Sequence, residues 1–235
     1  MSVARARELA ALAAVATATL TRATFAQARG AEVTEGARYE FLLTSLERER
    51  PKVKLWWTGW MLGYAGLTAG QGAAALFFPE HGTRIDATVG AAESALGVIG
   101  MLITPHTVTG APDELRAMDG STPAARAARL RRAEELLEQS AGDEEDARSW
   151  APHVEAALVN YAGSATLWFG YQRYAGGWLN LLAGTAIAEL QIITRPTGAG
   201  QSWRRYRAGV LTAPAPAASW TVTPLLGGAA LIGTF

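Results

Sequence analysis

Seven polar side chains lie within, or at the ends of, otherwise apolar stretches of this chain: Gln71, Glu93, Asn160, Asn180, Glu189, Gln191 and Arg195. Polar groups taken out of water need hydrogen-bond partners, and an acid in an apolar stretch is costly enough to mark a functional position by default. The set supports two chemistries. As amides and acids reaching between helices, these residues are structural glue. As a site, Glu93 and Glu189 would hold a ligand or a proton, with Arg195 as counter-charge.

Other chemistry has little to work with. Cysteine is absent, which removes disulfides, thiolate metal sites, iron–sulfur clusters and cysteine nucleophiles together. His106 and His153 flank a charged segment and could share one side of the molecule, but no HExxH, ExxH or CxxCH spacing accompanies them or His81, so no metal and no cofactor is expected. There is no G-x-S-x-G and no Walker loop, and Gly70-Gln71-Gly72 falls inside an apolar run rather than after a strand. The expectation is a protein that is not an enzyme.

The elements that must position the polar residues are apolar helices. Leu55 to Pro79 carries no formal charge and is rich in Gly and Ala; as a helix it would reach roughly 36 Å, past the ~30 Å core of a bilayer. Trp56, Trp57 and Trp60 crowd one end and Phe77 and Phe78 the other, as at headgroup boundaries. Gly59, Gly63, Gly66 and Gly70 form a small-xxx-small row suited to close helix packing. Ile85–Thr104, with its own row at Gly90, Ser94 and Gly97, follows after a short loop, and the two form a first helical hairpin over 55–105. Val154–Gln172 and Trp178–Thr194 form a second over 153–196. The hairpins echo each other through Tyr64-Ala65-Gly66 and Tyr161-Ala162-Gly163, and through Ile-Thr endings before Pro105 and Pro196, a weak parallel repeat.

Around the hairpins the composition differs. Residues 1–28 have Arg5 and Arg7, a short apolar core and an Ala26-Gln27-Ala28 cleavage pattern, so a signal peptide is expected. In 29–54, Tyr39, Leu42, Leu43 and Leu46 share one face of an amphipathic helix that Pro51 should end or kink. In the charged insert at 106–152, Gly110 to Gly120 reads as loop. Ser121-Thr122-Pro123 reads as a cap, and Leu130, Leu136 and Leu137 form a stripe on a solvated helix with pairs such as Arg131 and Glu135. Residues 197–235 read as a basic linker and a small β-hairpin turning at Gly227-Gly228.

Of 235 residues 49% are hydrophobic and only 18% charged, with formal net charge zero. The low charge favours a membrane or heavily buried protein, and neutrality gives no case for nucleic acid as a partner. The fold class expected is mainly α, a four-helix bundle of two apolar, transmembrane hairpins. Arg48, Arg50, Lys52, Lys54, Arg195, Arg204, Arg205 and Arg207 would then share one side against Arg84 and Arg173 on the other, which makes the first side cytoplasmic; a cleaved signal peptide would make it periplasmic. The expected function is a non-enzymatic, bacterial-type envelope membrane scaffold, structural or lipid-associated and located in the inner membrane. Its partners would be the lipid bilayer and a second copy or an envelope protein. The alternatives are a small transporter or carrier with an intrabundle polar site, and an exported, periplasmic soluble bundle that binds an apolar ligand.

Overall fold

The computed structural model describes residues 34–104, 106–212, 219–225 and 228–234, the last two stretches in backbone alone, so the signal peptide expected at 1–28 lies outside the described residues. Residues 1–38 and 39–235 are separate units, and the core and the site belong to the second.

The described chain is mainly helical. Helix α1 runs from Glu35 to Phe77, 43 residues, and continues through Pro51. Of the two outcomes expected there, an end to the helix does not occur. An internal proline loses one backbone bond and crowds a carbonyl, at about 3 kcal/mol, but Leu46, Glu49 and Val53 are all buried around it. Packing on both sides therefore fixes a helical course that local preference opposes. Helix α2 spans His81–Ile103, α3 Thr107–Ala117, α4 Pro123–Asp146 and α5 Trp150–Ala165. A π-helical turn, Thr166–Gly170, extends α5; α6 spans Tyr174–Ile193 and α7 Gly198–Arg207. Two extended stretches close the chain, β1 Ser219–Leu225 and β2 Gly228–Thr234, antiparallel with Ser219 opposite Thr234 and Leu225 opposite Gly228.

Two expectations about loops are corrected. Gly110 to Gly120 contains most of α3, whose Val108, Ala111, Pro112 and Leu115 are buried at helical spacing. The start of the basic linker is α7, with Ala199 and Ser202 buried. In both, a buried apolar or small face outweighs local helix-breaking residues.

The apolar core of the described residues lies among the charged elements. Leu42, Leu46 and Val53 of α1 pack with Val108, Ala111 and Leu115 of α3, Leu130, Ala133, Leu136 and Leu137 of α4, and Ala199 of α7. Tyr39 and Leu43 flank that core, so the amphipathic face expected over 34–54 is the one used. Thr122 caps α4 by accepting from Ala125 N at 3.1 Å, with Pro123 in the first turn. Surface ion pairs tie the elements: Arg50 to Asp113 at 2.5 Å, Arg116 to Glu47 at 2.7 Å and Arg132 to both Glu114 and Glu135. The partner of Glu135 is Arg132, three residues away, rather than the Arg131 expected.

The apolar helices are built the other way round. α5 and α6 pack most closely, with α2 against both, while α1 reaches them through long side chains: Trp57 Nε1 donates to Met101 O at 3.0 Å, and Trp56 and Trp60 donate to Thr194 Oγ1 at 3.3 and 3.2 Å. Apart from Val210, every large apolar side chain left exposed among the described residues lies between Leu55 and Ile103 or between Trp150 and Ile193, Phe77 at 81% and Leu179 at 70% among them, whereas Leu42, Leu46, Leu115 and Leu137 are fully buried.

The glycines follow the same logic. At Gly59, Gly63, Gly66 and Gly70 a Cβ would meet nothing within 4 Å, so the row expected to pack on α1 faces outward. The packing glycines are on α2: Gly90 receives the Gln71 amide and Gly97 the Tyr64 ring, whose Cδ1 would lie 2.6 Å from a Cβ there. α1 supplies the knobs, and its partner supplies the space. The Tyr-Ala-Gly echo ends at this point too, because Tyr64 is buried and Tyr161 is 55% exposed.

Candidate functional site

One face of α2 carries Asp86, Gly90, Glu93, Ser94, Gly97 and Gly100 at helical spacing, and together with α1, α5 and α6 it lines a cavity of about 700 Å³. Five of the seven polar residues singled out in the sequence line it from the sides: Gln71, Glu93, Asn160, Asn180 and Gln191. Arg195 lines one end. Glu189 is elsewhere.

Glu93 is the centre of the set. Its Oε1 accepts from Asn180 Nδ2 at 2.9 Å, and the same amide reaches Ser164 Oγ at 3.3 Å. Gly163 of α5 sits directly against the carboxylate, where any Cβ would collide with it. Asn160 donates to its own helix at Ala156 O, 2.8 Å, and its Oδ1 presses on Gly184 of α6. Gln71 Oε1 accepts from Ser94 Oγ at 3.2 Å, and Gln191 bridges Tyr64 OH, at 2.8 Å, to Met101 Sδ. The residues thus join α1 to α2 and α6, and α2 to α5 and α6. No cation contacts Glu93 among the described ion pairs.

Two polar clusters bound the cavity. At the end formed by the short turns, Arg173 holds Asp86 through two bonds, Nε to Oδ1 at 3.1 Å and Nη2 to Oδ2 at 2.5 Å. Gly82 and Gly176 leave room for that pair, and the Asp86 carboxylate holds the Arg173 guanidinium above its ordinary range. At the other end Arg195, 8% exposed, places Nη2 3.3 Å from His106 Nδ1 and its guanidinium over Trp56. Burial lowers Arg195, with Asp143 and Glu144 opposing. Burial, reinforced by the Arg195 charge, takes His106 down to about 4, so the imidazole is neutral at neutral pH.

The role expected of Arg195, as counter-charge to Glu93 and Glu189, is corrected: it contacts neither acid. Glu189 binds His153 Nδ1 at 2.9 Å on a half-exposed face of α5 and α6, and Arg195 turns toward His106. The difference is one of helical angle: Gln191 and Arg195 lie one turn apart along the chain and both reach the cavity, whereas Glu189 is two residues from Gln191 and points away. His106 and His153 are therefore in different contacts. Among the described residues no group of three or more His, Asp or Glu stands ready for a metal ion.

A third polar cluster lies in the charged elements. Glu144 caps α7, its two oxygens accepting from Ala199 N at 3.0 Å and Gly200 N at 2.8 Å. Burial raises its carboxyl, the two amides work against that, and the Glu49 charge adds to it. Glu49 is buried against Gly198 and pairs with Lys52 at 2.7 Å.

Sequence reasoning missed Tyr64, Ser94, Ser164 and the Asp86–Arg173 pair. A signal was present for the pair: Arg173 is the charged residue in the turn between α5 and α6, and Asp86 is the first acid within α2.

The described residues define a mainly helical protein in which one helical stretch, beginning at His81, is long and apolar enough to cross a membrane, with 17% of its apolar window buried. No family model matches the chain, and neither a curated protein nor a solved structure matches it.

Proposed function

We propose that the chain is a non-enzymatic integral membrane protein of the cell envelope. In this reading α1 from Leu55 on, α2, α5 with its π-helical extension, and α6 form a four-helix bundle of two membrane hairpins. The charged helices and a C-terminal β-hairpin lie on one side, anchored by it. The observation that carries the reading is the reversal of burial: large apolar side chains point outward in these four helices and inward in the charged ones. Water penalises the first arrangement and lipid favours it. Helix lengths agree, since 23 residues in α2 and 20 in α6 give roughly 30–35 Å against a ~30 Å hydrocarbon core. Hydroxyls along these helices return to their own backbone, as Thr68 does to Tyr64 O at 2.8 Å and Thr166 to Ala162 O at 2.9 Å, which is how such groups are satisfied in hydrocarbon.

A second reading, a carrier holding a small ligand between the helices, is favoured by the cavity. Its volume of about 700 Å³ falls within the ~300–1,000 Å³ of small-molecule sites. Membrane extraction separates the main reading from its rival, the exported soluble bundle. An integral protein stays in the pellet after alkaline carbonate and leaves it in detergent; release by carbonate would overturn the proposal.

A further inference from the structure

Among the described residues, the cavity between α1, α2, α5 and α6 has a charge without a counter-charge. Asp86 at one end is neutralised by Arg173, and Arg195 at the other faces His106 with Asp143 and Glu144 behind it. Glu93, between them, is held only by an amide, Asn180 Nδ2 at 2.9 Å. The neighbouring amides and hydroxyls already have partners: Gln71 with Ser94, Gln191 with Tyr64 and Met101, Asn180 with Ser164. All of these wall groups are neutral, so they can hydrogen-bond but cannot offset the carboxylate's charge, and no ion pair among the described residues includes Glu93.

The walls also say how a ligand arrives. Leu67, Leu96 and Leu179 line the cavity and are at the same time exposed, Leu179 at 70%. The cavity therefore opens sideways between the helices, on the surface that the proposed function places in hydrocarbon. A ligand entering there must partition into the bilayer, and one that complements Glu93 must be positively charged.

We infer that the cavity is a binding site for a lipophilic organic cation, an apolar body of small-molecule size with one cationic centre, whose charge is met by Glu93. The inference rests on the carrier reading above and adds the ligand class. An acyl chain would need no carboxylate at mid-cavity; of the other carboxylates lining the cavity, Asp86 is held by Arg173 and Glu155 is exposed on α5, so no second free carboxylate is buried with Glu93 to replace the water of an inorganic cation.

Tetraphenylphosphonium and tetraphenylborate, nearly equal in shape and opposite in charge, test this on the full chain in lipid nanodiscs. The cation should bind saturably and the anion should not. Glu93→Gln, which keeps an acceptor for Asn180, should weaken the cation by at least about tenfold, about 1.4 kcal/mol; Glu189→Gln, outside the cavity, should leave it unchanged. Equal binding of the two ions by the unaltered chain would overturn the inference whatever the variants do, as would absence of saturable cation binding, or cation binding indifferent to Glu93→Gln in a variant that keeps its helical circular dichroism. Loss of membrane anchoring is read separately, by carbonate extraction, so failure of the membrane proposal and failure of the ligand class are distinguishable.

Discussion

Single positions decide how the apolar helices meet. At Gly97 a methyl would enter the buried Tyr64 ring, which is rigid and bonded to Gln191. Gly97→Ala should therefore destabilise the protein by about 1–3 kcal/mol through overpacking. Gly63 faces open space, so Gly63→Ala should be neutral or stabilising by up to about 1 kcal/mol, the helix-propensity difference. Unfolding in mixed micelles measures both; an equal loss at Gly63 would mean that the α1 row packs against something after all. His106 makes a pH prediction. Its pKa is lowered from 6.5 to about 4, so the fold favours the neutral ring: that stability is present above about pH 6.5 and is lost as pH falls toward about 4. Glu144, raised by burial, gains over part of the same range, so the comparison must isolate His106. Wild type should lose more thermal stability than His106→Gln between pH 7.5 and 5. Equal losses would contradict the assignment.

At the scale of elements, the start of α7 depends on a side chain remote in sequence. Both Glu144 oxygens accept from its first amides, and no local residue replaces them, Thr197 making no side-chain cap. Glu144→Ala should cost about 2–3 kcal/mol, as expected when buried donors lose a charged acceptor. Chemical denaturation measures the loss, and a change under about 0.5 kcal/mol would show that the cap contributes little. That cap was not legible in the sequence, because Glu144 and Ala199 are joined only by the fold. The N-cap of α4 was legible, since Thr122 and Pro123 act within three residues of each other. The apolar helices were legible from composition, although the first is continuous with the amphipathic segment from Glu35 on and the ends of the others shifted by a few residues. α3 was not read as a helix because Gly110 and Pro112 dominate its local pattern, yet Val108, Ala111 and Leu115 carried the period. The polar set was found by type in an apolar background; which members meet depends on helix rotation, and that separated Glu189 from Gln191.

For the whole molecule, the charged elements and the short turns occupy opposite ends of the four apolar helices. The basic residues at the ends behave differently. Arg84 caps α1 at Ala75 O, 2.9 Å, and Arg173 is held by Asp86, so the two arginines at the short turns are spent within the fold. Lys54, Arg204 and Arg207 at the other end are on exposed or partly exposed surface. In the four-span arrangement proposed above, this charge bias would put the charged elements on the cytoplasmic side.

Spanning itself is tested most directly by labelling from one side. The chain lacks cysteine, so Glu138→Cys in α4, Glu80→Cys before α2 and Tyr171→Cys between α5 and α6 each introduce one thiol, to be probed with a membrane-impermeant maleimide in sealed vesicles of known orientation. Position 138 should react from the cytoplasmic face alone, and positions 80 and 171 from the opposite face alone. Labelling of all three from the same face would contradict the four-span arrangement on which the proposed function rests.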